Sequence, residues 1–370
     1  MHSKPSSEVP ILIVGSGNAE YVLELSGKLV PDQKHSVKYH ELFGGSGVNY
    51  ALRLLKAGLP VFPVLSIGND FLGNNIRDEV LSNAKICGLC SPFPEFIASD
   101  DYMAPNIATP RATILVENQR RTIFSEIIGQ YAGFNAHLDK CLAMIADYPE
   151  VSVKSVMIGH IQSDKNQETP GHCTKKIIDT LSKDCMVFAN FGHSQIDLGV
   201  DFWENHLQRI HIFQLNLVEM KSLFKTKEPR FTLMDIIRWL NKHEITAIMT
   251  LDRFGAIGIY KGASDGIVLA WPSDRIQVVD PTGAGDAFGA GLMYMLWDKP
   301  GFSFEDFIVA IEEARVWAAY ACTHLGGSAH CPDRKTLLAF YEDFFSHDSG
   351  AIEILPLKEA GPILKVFDKM

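Results

Sequence analysis

With 370 residues, 46% of them hydrophobic and 21% charged, the chain can bury a full core as one large domain or two ordinary ones. Its 34 basic and 44 acidic residues give a formal charge of −10, which excludes nucleic acid and an anionic membrane surface as default partners. An anionic ligand would have to be met by local backbone amides or single cations.

The start, MHSKPSSEVP, is polar and short, and the apolar run behind it, ILIVG, is too brief for a signal peptide or a membrane span. Together with an odd count of seven cysteines, this predicts reduced thiols in a cytoplasm. Cys87 and Cys90 form a single CxxC without the further ligands a zinc site needs, and they read as two ordinary cysteines.

Short β-branched runs at 11–14 (ILIV), 61–67 (VFPVLSI), 155–159 (SVMIG), 186–190 (MVFAN), 210–215 (IHIFQL) and 246–251 (TAIMTL) read as buried strands. Between them GVNYALRLLKAG, FLGNNIRDEVLSNA, TKKIIDTLSK, LVEMKSLFK and TLMDIIRWLNKHE carry helical periodicity. Such alternation predicts an α/β protein with a mostly parallel sheet covered on both faces. Three more helices are expected near 289–297, 304–324 and 334–345. Residues 21–43 and 107–124 alternate apolar and polar side chains instead, predicting a small β-strand lid over one end of the sheet. Residues 346–370 are loosely patterned and are expected as a tail packed on a single domain spanning 11–345.

The densest stretch is VVDPTGAGDAFGAGL, residues 278–292. An extended segment, a Pro-Thr turn and Gly283-Ala284-Gly285 lead into a helical pattern. Parallel sheets place ligands beyond the carboxyl ends of their strands, where helix N-termini offer free amides. Glycines let a phosphate approach the backbone, so the amides of Gly283, Ala284 and Gly285 are the expected anion hole. Asp286 directly behind them reads either as a helix cap or as a general base taking the proton of an attacking hydroxyl.

DPTGAGDAFGAG is similar to the C-terminal signature of the ribokinase-like (PfkB) carbohydrate kinase family. FGGSGVNYALRLLKAGLPVFPVLSIGNDFLG resembles that family's double-glycine, Asn and Gly-Asn-Asp segment, and VGSGNAEYVLEL resembles its first strand. QLNLVEMKSLF and IMTLDRFGAIGIY resemble its Asn-x-x-Glu segment and the strand that follows, so the matches run in order along 11–345. The resemblance implies a three-layer ribokinase-like fold and transfer of the γ-phosphoryl group of ATP to an alcohol hydroxyl, usually on a sugar. It implies Asp286 as base and Asn18, Glu20, Gly44, Gly45 and Asn49 around the substrate. ATP would meet Asn216, Thr250, Gly255 and Gly326, with adenine near Gly327 and His330; Asn216 and Glu219 would organise Mg2+ through water. Asp280 and Thr282 would hold a monovalent cation such as K+, as in some members, and a homodimer would form through the lid.

The chain departs from the family in places. Glu20 stands where Asp is usual, Asp252 where glycine is usual, and FANFGHSQ lacks the Asp-x-Asn-x-Arg pattern. Arg111 reads as a lid residue reaching into the cleft or as a solvated one, and His160 as a loop histidine at the same end of the sheet. Two alternatives stand beside the sugar kinase. A nucleoside kinase of the same fold would need an aromatic slot from Phe43, Tyr39 or Tyr131, and a non-catalytic binding module would lack ATP turnover. A Rossmann dehydrogenase is a poor third reading, because GSGNAE offers only GxG without the later glycine of that fingerprint.

Overall fold

The computed structural model describes residues 11–105, 107–117, 120–126, 131–148, 153–225, 231–262, 266–346 and 351–369. The polar start, residues 118–119 of the second lid segment, 347–350 and 370 of the tail, and the side chain of Tyr131 lie outside the described residues.

In chain order the strands are β1 (Ile11–Ser16), β2 (Asn18–Leu25), β3 (Val37–Gly44), β4 (Val61–Ser66), β5 (Arg111–Glu117), β6 (Arg120–Glu126) and β7 (Ser155–Ile158). They continue with β8 (Met186–Ala189), β9 (Ile212–Asn216), β10 (Ala247–Thr250), β11 (Ala256–Ile259), β12 (Gly266–Ala270) and β13 (Ile352–Pro356). The large sheet has the order β13-β12-β11-β10-β9-β8-β7-β1-β4. From β4 to β10 neighbours run parallel, and from β10 to β13 antiparallel. The central strands are buried nearly end to end, as a sheet with helices on both faces requires.

The second sheet, β3-β2-β5-β6, is the lid. Its position follows from the chain path. Only Gly17 separates the carboxyl end of β1 from β2, and β3 runs through Gly44 into helix Ser46–Lys56. Asn18 pairs with Gly44 across the root of the lid, so both strands leave and rejoin the body beside the carboxyl end of β1.

The tail, loosely patterned in sequence, carries regular structure: Ile352–Pro356 supplies the edge strand of the main sheet, and helix Leu357–Phe367 buries Ala360, Leu364 and Phe367. Its strand is five residues long and Pro362 sits inside its helix, so both periodicities are weak in sequence. The helix expected near 289–297 begins at Ala284. It carries glycines 285, 289 and 291, and packing demands the last two. A Cβ on Gly289 would lie 1.8 Å from the Tyr50 hydroxyl, and one on Gly291 would lie 2.7 Å from the Ala314 Cα. Tertiary contact overrides the cost of about 1 kcal/mol per helical glycine.

Candidate active site

The turn before helix Ala284–Leu296 is held by Asp280. One of its carboxylate oxygens accepts from the Thr282 amide (2.9 Å) and hydroxyl (2.6 Å), and the other accepts from the Gly326 amide (2.9 Å). Val279 and Asp280 amides both donate to the Cys322 carbonyl, so segments 279–283 and 322–327 form one clamped unit. Gly283 is the helix N-cap in the left-handed region, φ 71°, and a Cβ there would meet the Gly327 Cα at 2.8 Å. Of the amides expected to form the anion hole, that of Ala284 donates to the Pro281 carbonyl at 3.1 Å. Those of Gly283, Gly285 and Asp286 find no acceptor among the described residues and sit at the positive end of the helix. A Cβ on Gly285 would touch nothing within 4 Å, so the ground beside this turn is open.

Asp286 is not the helix cap, because Gly283 holds that place without a side chain. Its Oδ2 accepts from Asn49 Nδ2 at 2.6 Å, a contact between residues 237 apart in the chain. A carboxylate only accepts, which fixes the orientation of the Asn49 amide and leaves Asn49 Oδ1 buried without a donor among the described residues. Gly327 backs that amide so closely that a Cβ would lie 2.9 Å from Asn49 Oδ1. Next along the helix, Tyr50 is buried; burial first, then the Asp286 carboxylate, pushes its pKa up and keeps the phenol neutral.

At the root of the lid, Asn18 Nδ2 donates to Glu20 Oε1 at 3.4 Å. A Cβ on Gly44 would stand 1.9 Å from that oxygen, so only glycine lets the Glu20 carboxylate lie against the opposite strand. Gly45, φ 89°, passes 2.5 Å (Cβ to Oδ1) from Asn18 by the same measure. The lid is hooked to the clamped unit by the Ser328 hydroxyl, which donates to the Phe43 carbonyl at 2.5 Å.

Sequence reasoning gave His160 and the Gly-Asn-Asp segment no positive role, and the structure supplies one for each. The His160 amide donates to the Ser46 hydroxyl at 2.8 Å, and its Nε2 lies 3.3 Å from Asn190 Oδ1, walling the carboxyl ends of β7 and β8. Asp70 caps helix Phe71–Ile86 through the Gly73 amide and also accepts from the Thr109 amide and hydroxyl at 2.7 Å. It thereby ties the segment leading into β5 to the body. Arg111, at the start of β5, is exposed.

On the nucleotide side Asn216 and Thr250 are register partners at the ends of β9 and β10, and Thr250 pairs with Ala256 beside Gly255. Asn216 and Glu219 cap one another: Asn216 Oδ1 accepts from the Glu219 amide (2.8 Å) and Glu219 Oε2 from the Asn216 amide (2.9 Å). Thr250 ends β10, and Asp252, exposed and at φ 53°, opens the short turn to β11. Gly255 packs against β12, where a Cβ would lie 1.9 Å from the Ala270 carbonyl oxygen. Gly326 faces Leu42 of the lid. His330 stacks on His324 (4.9 Å between centroids) and lines a cavity of about 850 Å³ that reaches Lys56, Gly58 and Pro60.

Beneath β7 and β8 a buried network steadies the site wall. Gln195 accepts from the Ile161 and Gly192 amides and donates to the Gly159 carbonyl and the Thr174 hydroxyl. Thr174 in turn donates to Asp164 at 2.5 Å. Burial raises the Asp164 pKa from 3.8 to about 6, against the hydrogen bonds from Thr174 and Cys173. A carboxyl raised in the folded state disfavours its ionised form there. Its contribution is therefore largest below the ordinary carboxylate range and declines as pH rises from 3.8 to about 6, by roughly 1.4 kcal/mol per unit of separation. We expect Asp164→Asn to remove this decline. Urea unfolding of both proteins at about pH 4 and about pH 7 measures it, and an unchanged pH difference would refute it.

Solved structures with the same fold include the ribokinase of Giardia lamblia, with a TM-score of 0.65, 17% identity and coverage of 90% of this chain and 99% of that one. The Burkholderia thailandensis nucleoside kinase in complex with inosine aligns with a TM-score of 0.64 and 17% identity, covering 91% and 98%. The fold is thus that of the ribokinase-like kinases, a mostly parallel large sheet flanked by helices with a smaller sheet as its lid. Among sequence relatives, the ribokinase of Mus musculus is 22% identical over 330 residues, 88% of this chain and 93% of the relative. The ATP-dependent 6-phosphofructokinase of Thermoanaerobacterium thermosaccharolyticum is 22% identical over 311 residues, 82% and 86%. Residues 108–334 match the pfkB family carbohydrate kinase pattern. The chain belongs to this family and is an ATP-dependent carbohydrate kinase. Kinases of the family use ATP, generally with Mg2+. Among the described residues no helix is long and apolar enough to cross a membrane.

Proposed function

We propose that this kinase moves the γ-phosphoryl group of ATP to a hydroxyl of a sugar or sugar-like alcohol, with Asp286 removing the hydroxyl proton. The observation that carries the reading is the first turn of helix Ala284–Leu296, where open amides and an uncapped, half-buried carboxylate share one small space. The amides of Gly283, Gly285 and Asp286 suit the charge that gathers on a phosphoryl group in transfer. Asn49 orients the carboxylate and offers a buried carbonyl oxygen that a substrate hydroxyl would satisfy. Asn18, Glu20, Gly44 and Gly45 complete a polar substrate wall at the root of the lid.

Mg2+ fits this site best as part of the nucleotide. Among the described residues no three His, Cys, Asp or Glu side chains gather as a metal cluster, and Asn216 and Glu219 supply only hard oxygens beside β9. That set suits an ion that keeps several waters and rides on phosphates, where it would neutralise their charge. A monovalent cation such as K+ would be met by Asp280 and Thr282; the Asp280 oxygens accept from Thr282 and Gly326 and keep acceptor capacity.

The sugar reading is put first because Asn18, Glu20, Gly44 and Gly45 give the root of the lid a polar wall that suits hydroxyls. Tyr39 is 56% exposed and stacks on Tyr21 across the lid, while Phe43 packs against the core. Apolar side chains exposed on the lid (Val37, Tyr39, Ile123 and Phe124) support pairing of two copies there, which sedimentation equilibrium would read. The deciding assay is ADP release with Mg2+ across ribose, fructose, fructose 6-phosphate, adenosine and inosine. Acceptor-dependent turnover with a sugar is expected; turnover with nucleosides alone would replace the acceptor class, and none with any acceptor would remove the reading.

A further inference from the structure

Gln214 is a buried amide in the middle of β9, 4% exposed, between β8 and β10. Leucine would fill such a place without the desolvation cost of an amide, so its polarity has to be matched by a partner. The partner is the Gly285 carbonyl, which Gln214 Nε2 reaches at 2.8 Å. We propose that Gln214 is a positioning residue for the phosphoryl-binding turn, acting through the Gly285–Asp286 peptide.

The physical link is the planarity of that peptide. The Gly285 carbonyl and the Asp286 amide lie in one rigid plane and point in opposite directions. A donor that fixes the carbonyl therefore also aims the Asp286 N–H, one of the open amides at the helix start. The glycine one turn on makes this approach feasible. A Cβ on Gly289 would stand 2.5 Å from Gln214 Oε1 and 1.8 Å from the Tyr50 hydroxyl, so the helix settles directly on these two groups. Asp286 is consequently held twice, its carboxylate by Asn49 and its backbone by Gln214.

The inference rests on the proposed role of the turn, so its test carries Asp286→Asn as an internal control. Gln214→Met keeps the length and loses the donor; Gln214→Leu fills the same buried place, also without a donor. We expect either folded variant to lower kcat roughly tenfold, less than the 10²–10³ of deleting an anion-hole donor outright. The sugar KM and the Kd for ADP should stay near wild type. Affinity for ADP with aluminium fluoride and sugar, which mimics the planar phosphoryl group, should weaken by the same factor as kcat. A merely structural role would disturb ADP binding and the mimic alike, and that outcome overturns the proposal. Wild-type kcat and mimic affinity in a folded variant overturn it too. Wild-type turnover in Asp286→Asn would instead overturn the base assignment, while the ratio of Gln214→Met to wild type would still report on the turn.

Discussion

Asp286→Asn is expected to lower kcat by about 10²–10⁴-fold, the usual worth of a general base, while the unfolding temperature stays near that of the wild type. The two side chains have nearly the same volume, and an asparagine oxygen can still accept from Asn49 Nδ2, now as a neutral bond in place of the charge-assisted one at 2.6 Å. Because Gly283 is the N-cap, the helix start does not depend on the carboxylate for capping. What is lost is the ability to take a proton, which matters only as the acceptor oxygen attacks. Substrate KM should therefore change far less than kcat. Steady-state kinetics with thermal melting on one preparation checks both halves, and a variant within tenfold of wild-type kcat would remove Asp286 as the base.

How much of this site was legible in the sequence depended on whether its physics is local. Buried parallel strands announce themselves as β-branched runs, so β1, β4 and β7 to β10 could be read directly. The lid strands showed as alternation, and the glycine turn before Asp286 as a helix start that admits an anion. What escaped depends on contacts distant in sequence. Nothing near Asn49 says that its amide meets Asp286, and nothing in IFQLN says that Gln214 crosses to Gly285. The Pro281 carbonyl takes the Ala284 amide through a turn geometry that residue types do not specify, so the open amides are shifted toward Asp286. Asn216 and Glu219 show the opposite case: their capping box is wholly local and readable, whereas any role toward Mg2+ requires the nucleotide.

The two outer members of Gly283-Ala284-Gly285 should respond to alanine with opposite effects on stability, although both lie in the same turn. Gly283 sits at φ 71°, a left-handed conformation that costs a non-glycine residue about 1–2 kcal/mol. Its new Cβ would also press on the Gly327 Cα at 2.8 Å, backbone against backbone, with an overpacking cost of about 1–3 kcal/mol. Gly327 in turn backs the Asn49 amide that holds Asp286, so the displacement passes straight into the site. Gly283→Ala should therefore lose both stability and turnover. At Gly285 an added Cβ meets no heavy atom within 4 Å, and alanine gains up to about 1 kcal/mol over glycine in a helix. Gly285→Ala should melt at or above the wild-type temperature. If the migrating phosphoryl group uses the open ground beside this turn, the same methyl should displace it and lower kcat/KM for ATP on the order of 10²-fold, as misplacement by about 1 Å does. A stable Gly285→Ala enzyme with undiminished turnover would move the phosphoryl group away from these amides and, with it, the proton-accepting role of the carboxylate behind them.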